Sequence, residues 1–304
     1  MASSIDTPRV MTEAFLTAMA ENQSNWGRIA KQIGASGQAT ITVGQGAFGG
    51  TMTTLARTAT SGPTASDYFT FESDFSMVNK VLKHTFPKKT YNSEYGFKEL
   101  GRQLADVVNN EVDAQVFALL QGLFAAAHPR AGAGAGQVGG GKKYLDTGLA
   151  FLAGEGGAGT QDNLITSALA EASLNTAIKL LMQYKSDRGT SLNLGINGGL
   201  VLVVSPKNAQ TAHELVVSAM SGADMASNFI KGQISDIVVT NHFTDDDDWF
   251  LIDPKNTPLG MAIGDIDIRL TETSDGIFYE PVIELDCVAV KAPYEPGIIG
   301  SNVA

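Results

Sequence analysis

The sequence predicts an α+β fold. Three observations carry that class: an amphipathic helix of unusual length near residue 100, a strand and helix in succession near residue 205, and strands toward the C-terminus that alternate apolar and polar residues. Long helices mixed with mostly antiparallel strands favour α+β over a doubly wound α/β sheet.

In chain order, residues 1–37 read as an arm with a short helix. Val10, Phe15, Leu16 and Met19 have helical spacing, and Trp26 and Ile29 precede glycine-punctuated sequence. From Ala39 to Tyr91 the chain is rich in threonine, aromatic and β-branched residues, and Tyr68-Phe69-Thr70-Phe71 is its clearest strand. Ala59-Thr60-Ser61-Gly62-Pro63 carries the strongest turn chemistry, so two strands about a flexible tip fit this stretch.

Ser93 to Pro129 reads as one helix. Phe97, Leu100, Leu104, Val108, Val112, Val116, Leu119 and Leu123 recur at steps of three and four on one face, opposite Lys98, Arg102, Asp106, Asn109, Asp113 and Gln115. Asn92 or Ser93 caps its start, Pro129 ends it, and roughly 30 residues span about 45 Å. An element of that length needs something long to lie on, and a sheet together with adjacent subunits of an assembly is the favoured answer.

Two glycine clusters follow, Ala131 to Gly141 and Gly154 to Gly159, too flexible to pack a core. A second amphipathic helix is expected over Leu164, Ala168, Ala172, Leu174, Ile178, Leu181 and Met182, with Gly189 beyond its end. Leu200 to Val204 is a buried-strand run, and Ser205-Pro206 suits the N-cap and first turn of a helix reaching about Met220. Ile234 to Thr240 and Trp249 to Ile252 are further strands, joined through a polar turn containing Asp245-Asp246-Asp247-Asp248. Ile266, Ile268 and Leu270, then Ile283, Leu285, Cys287 and Ala289, alternate with polar neighbours as half-buried antiparallel strands do.

Length and composition allow one large domain or two smaller ones, with 43% apolar residues available for a core. Neither a membrane-length apolar run nor a basic start followed by an apolar block occurs, so no membrane span or secretory signal is expected. The lone Cys287 reads as a small buried apolar side chain. Charge is uneven: residues 1–150 hold 13 basic against 12 acidic side chains, residues 151–304 hold 8 against 20. A strongly acidic half repels nucleic acid and disfavours tight or sequence-reading DNA binding.

Motifs for catalysis are weak. Gly44-Gln45-Gly46-Ala47-Phe48-Gly49 matches a dinucleotide fingerprint, but no helix-forming sequence follows and no acid ends a strand about 20 residues on, so a flexible loop is the expected reading. The four aspartates lack the spacing and central glycine of a calcium loop and read as a solvated turn. His84, His128, His213 and His242 have no metal-ligand spacing. No cofactor and no enzyme activity are therefore expected.

The stretch Leu200-Val201-Leu202-Val203-Val204-Ser205-Pro206 with Ala209, Ala212 and Leu215, then Gly232, Ile237-Val238-Val239 and Trp249-Phe250-Leu251-Ile252-Asp253-Pro254, resembles Mu-like head subunits. The order of elements along most of the chain resembles the major capsid proteins of tailed bacteriophages. That resemblance implies a Hong Kong 97-type fold: an N-arm over residues 1–40, an extended loop and its base over 41–92, and a spine helix and glycine-rich loop of a peripheral domain over 93–159. It further implies an axial domain over 160–275 and return strands with the C-terminal tail over 276–304. It implies a virion protein assembled in the host cytoplasm, with hexamers and pentamers of itself forming an icosahedral head around double-stranded DNA. A separate scaffolding protein, or one already cleaved away, and a portal protein would be partners, with no membrane. The near-neutral half would then face inward and the acidic half outward.

Assembly contacts are expected at Trp26, at the aromatic residues Tyr68, Phe69, Phe71 and Phe75, at the basic cluster Lys80, Lys83, Lys88 and Lys89, and at Arg102. The lysines are expected to dock on acidic residues of a neighbouring subunit. The alternatives are a bacterial nanocompartment shell, which shares the fold and encloses proteins, and a soluble nucleotide-binding enzyme using the Gly44 to Gly49 loop.

Overall fold

The computed structural model describes residues 7–21, 24–46, 70–89, 93–132, 137–154, 157–186, 191–217, 229–293 and 296–303. The chain divides into two units, one holding residues 1–41, 75–117 and 260–290, the other 42–74, 118–259 and 291–304.

The first unit is built on the helix Glu94–Gly122 as far as Phe117; the helix's last residues, from Ala118, belong to the second unit. Ser93 caps the helix, its Oγ accepting the Gly96 N–H at 3.2 Å. Phe97, Leu100, Leu104, Val108, Val112 and Val116 are buried as the periodicity predicts. The polar face is less exposed than expected. Asn109 is buried, Asp113 accepts the Trp26 backbone N–H at 2.8 Å, and Gln115 donates to Cys287 Sγ at 3.3 Å. In the N-terminal helix Thr7–Glu21, Met11, Phe15 and Ala18 are buried, while Leu16, grouped with them by its helical spacing, is half exposed. This helix crosses the long one at Gly101, where a Cβ would lie 2.6 Å from the Met11 carbonyl oxygen.

The unit's sheet runs in the order Lys31–Gly34, Leu259–Glu272, Phe278–Lys291, Val78–Lys83, with Phe86–Pro87 also paired to Phe278–Lys291. Ile266, Ile268 and Leu270 are half-buried between exposed Asp265, Asp267 and Arg269. In the next strand Ile283, Leu285 and Cys287 are buried, but the alternation then slips and Val290, not Ala289, is the next buried residue. The two long strands are joined through the turn at Gly276, whose φ of +69° suits glycine. The expected break at residues 275 and 276 therefore falls inside a strand pair, because a tight turn keeps consecutive strands together.

In the second unit the sheet order is Ile234–Val239, Leu200–Val204, Trp249–Ile252, Ile298–Ser301, Leu164–Ile165. Leu200–Val204 pairs in parallel with Ile234–Val239 and antiparallel with Trp249–Ile252, so this sheet is mixed where mostly antiparallel strands were expected. Every residue of Leu200–Val204 and Trp249–Ile252 is buried, because side chains cover both faces. Leu200, Leu202, Val204, Trp249, Leu251 and Ile299 share a core with Leu174, Ile178 and Leu181 of the helix Glu171–Gln183 and Ala212 and Val216 of the helix Ala209–Val217. Phe250 stacks on Phe124 at 5.0 Å between ring centres.

Three element boundaries differ from expectation. The long helix stops at Gly122, seven residues before Pro129, because the backbone beyond it turns into other bonds: Ala126 accepts from Tyr144, and His128 donates to Lys142. Leu164–Ile165 is a strand and not the start of the second helix, since Gly300 donates to Asn163 and Asn302 to Ile165, drawing that backbone into the sheet. The tail strand Ile298–Ser301 belongs with the second unit and not with the return strands. The helix after Leu200–Val204 opens as a 3-10 turn at Pro206–Asn208 and is described to Val217, so its expected end near Met220 lies outside the described residues.

Candidate assembly surfaces

The strand Val78–Lys83 forms one end of the first unit's sheet, pairing on one side with Phe278–Lys291. Its register puts Lys80 opposite Leu285 and Leu82 opposite Ile283, on the face toward the long helix. There a groove of about 230 Å³ opens among Lys80, Val81, Leu82, Val107, Glu111 and Leu285. Val81 and Val107 at this groove are 58% and 51% exposed, unusually open for valine.

The basic cluster is engaged within its own unit. Lys80 Nζ lies 2.9 Å from Glu111 Oε1, and that hydrogen bond raises the lysine's pKa above its ordinary value. Lys83 pairs with Glu280 at 3.1 Å, and Lys88 pairs with Glu272 while sitting 5.1 Å from the Tyr279 ring centre. Lys89 alone of the four is exposed with no ion pair among the described residues. These pairs compete with the expected docking of the lysines on a neighbour. Their charges fasten the strand and its turn to acids that are far along the chain and close in the fold.

The expectation of an exposed contact at Trp26 is corrected. Trp26 is only 8% exposed and its N–H is held by Asp113, so it packs inside the subunit. Arg102 remains exposed, with Glu99 at 4.0 Å. Phe75 is half-buried in the strand Thr70–Ser76, which pairs with Thr40–Gly46. Phe71 lies in the same strand, with its side chain outside the described set; Tyr68, Phe69 and the tip at Ala59 to Pro63 lie outside the described residues altogether.

Gly44 and Gly46 are strand residues, not part of a loop, and Ala47 to Gly50 lie outside the described residues. Thr42 Oγ1 donates to Asp74 Oδ1 at 2.6 Å across this strand pair. Among the described residues no three His, Cys, Asp or Glu side chains converge as a metal set. His84 meets Phe86 edge-on, and His128 is buried against Tyr144.

The aspartate turn is solvated only in part. Asp245 and Asp246 are exposed and Asp247 pairs with Lys207 at 2.7 Å, but Asp248 is 1% exposed. Gln121 Nε2 donates to Asp248 Oδ2 at 2.9 Å, and Gln121 Oε1 accepts the Thr244 N–H at 2.8 Å. Burial pushes the Asp248 carboxyl above the usual carboxylate range; Asp245 and Asp247 add to this and the Gln121 amide opposes it. A folded value above the unfolded one favours the protonated form. Asp248 thus supports the fold fully below the ordinary carboxylate range, and that support is lost as pH rises through the raised value. Asp248→Asn is expected to stabilise the subunit near neutral pH and to flatten the pH dependence between acid and neutral. Urea unfolding across that range measures it, and superimposable pH profiles for the two proteins would contradict it.

The edge strand Val78–Lys83 and the groove beside it leave the apolar side chains of Val81 and Val107 open to solvent. The family of the chain gives that surface its context. The chain belongs to the phage capsid protein family, whose model matches residues 96–286, more than half of its length. No curated protein matches the sequence. Solved structures with the same fold include the capsid of a native GTA particle, 11% identical with TM-score 0.54 over 92% of this chain and 90% of that one. The virus-like particle from Pyrococcus furiosus is 11% identical with TM-score 0.52, over 97% and 98% of the two chains. The satellite phage P4 procapsid is 9% identical with TM-score 0.50, over 96% and 98%. The fold is of the Hong Kong 97 type, and the function is structural: the chain is a shell-forming capsid protein.

Proposed function

We propose that copies of this chain assemble as hexamers and pentamers into the closed icosahedral head of a tailed phage, around double-stranded DNA that it holds without reading sequence. The carrying observation is the capsid-family match over residues 96–286. The charge distribution supports the same reading, since an excess of acid over residues 151–304 disfavours tight binding of a polyanion that must slide during packaging and release. Assembly occurs in the host cytoplasm on a separate scaffolding protein and a portal. The P4 procapsid that shares the fold includes a size determination protein, which supports an accessory factor in assembly here. The likeness to Mu-like head subunits rests on Leu200 to Pro206 and Trp249 to Pro254.

The test is the content of particles purified from cells that make the chain with its partners. Nuclease-protected double-stranded DNA of uniform length is expected; particles filled with protein and free of DNA would favour the nanocompartment instead.

Lys83, Lys88 and Lys89 changed together to Gln are expected to lose two ion pairs, each contributing under about 1 kcal/mol, and to leave shell formation unchanged across a salt series. An assembly defect that shrinks as salt rises would restore the docking role.

A further inference from the structure

We propose that Asn197-Gly198 is a site of spontaneous covalent modification, at which the asparagine closes on the following backbone nitrogen and converts to aspartate and isoaspartate. It is the one Asn-Gly pair in the sequence. It lies in an exposed turn of the second unit, next to Ile196, which is 48% exposed, and just ahead of the buried strand Leu200–Val204.

The fold keeps the reactive pair in place. Gly198 has a φ of +73°, in the left-handed region, and a Cβ there would stand 2.7 Å from the Gly232 carbonyl oxygen. A larger residue at 198 would shield the backbone nitrogen and slow ring closure, and this backbone excludes one. Position 198 is therefore confined to the residue that leaves the nitrogen most open to the asparagine before it.

The chemistry balances with water alone. The Gly198 nitrogen loses its proton and attacks Asn197 Cγ; a bond forms between them, the bond from Cγ to Nδ2 breaks, and ammonia leaves carrying the proton. Water then adds to either carbonyl of the five-membered succinimide and opens it, giving aspartate or isoaspartate. Each event replaces a neutral amide with a carboxylate and adds a negative charge to that copy of the chain.

The turn also sets the rate and the consequence. The Gly198 N–H donates to the Gly195 carbonyl at 3.0 Å, so this bond must open before attack, and the folded chain reacts more slowly than the free peptide. Ring closure removes that N–H, and isoaspartate adds a methylene to the backbone. On the near side, Leu194 is buried and Gly195 N–H is held by Asp253 Oδ2 at 3.3 Å; on the far side the strand is fully buried. The added length is absorbed between Gly195 and Gly199.

Purified folded protein is to be held for weeks at neutral and mildly alkaline pH in heavy-oxygen water, then digested with trypsin, which releases residues 189–207 as one peptide containing both Asn193 and Asn197. The expected result is amide-to-acid mass gain with heavy oxygen at residue 197, several-fold faster than at Asn193, faster at the higher pH, and accepted by an isoaspartyl methyltransferase. The same peptide released before incubation should react faster still. In Asn197→Gln, whose ring closure would need six members, the gain should vanish. Conversion at Asn197 no faster than at Asn193, or isoaspartate undiminished in Asn197→Gln, would overturn the proposal.

Discussion

Trp249→Ala is expected to lower the unfolding free energy of the second unit by about 3–5 kcal/mol. The side chain is fully buried, its Nε1 donates to the Ser167 carbonyl at 3.1 Å, and it shares a core with Leu181, Val204 and Ile299. Truncation opens a cavity in the middle of a sheet covered on both faces, where neighbours relax only in part. Domains are stable by about 5–15 kcal/mol, so the variant should accumulate as aggregate or as partly unfolded subunit. Trp249→Phe keeps most of the volume, loses the hydrogen bond, and should cost less. Urea unfolding of the three proteins decides the matter, and a loss under about 1 kcal/mol for the alanine variant would show that this core is not packed as described.

Gly101→Ala is expected to destabilise the first unit by about 1–3 kcal/mol although alanine is the better helix former. At an exposed helical site that change gains about 1 kcal/mol. At Gly101 the added carbon would meet the Met11 carbonyl oxygen at 2.6 Å and the Phe15 nitrogen at 3.0 Å, both backbone atoms that yield only if the helix Thr7–Glu21 shifts. That shift uncovers Met11 and Phe15, so amide exchange in the N-terminal helix should quicken before global stability falls. Gly122, in the same long helix with nothing within 4 Å of its Cβ position, is the control, and its alanine variant should gain stability. Equal gains at both positions would contradict the close crossing.

The fold is legible in the sequence where its patterns are local. The long helix announced itself because its apolar period runs unbroken from Phe97 to Val116, and Leu200–Val204 announced itself as an apolar run bounded by Ser205-Pro206. Local signals could not say what covers a polar face. Asp113 sits on the hydrophilic side of a helical wheel, yet it is the acceptor that holds Trp26 87 residues away in sequence. The lysine cluster was visible as charge density, but Glu272 and Glu280 come beside Lys88 and Lys83 only through the pairing of distant strands. The strand Ile298–Ser301 has four residues and gains its identity from Trp249–Ile252, a partner no local window contains. Asp248 looked like one of four solvated aspartates, and its burial follows from Gln121 reaching the turn from the end of the long helix.

Negative-stain electron microscopy of the purified protein, made together with its scaffolding protein, tests most directly whether the chain is a shell subunit. Closed particles of uniform diameter are predicted. A population of monomers or small oligomers that persists at high concentration with the scaffold present would contradict it.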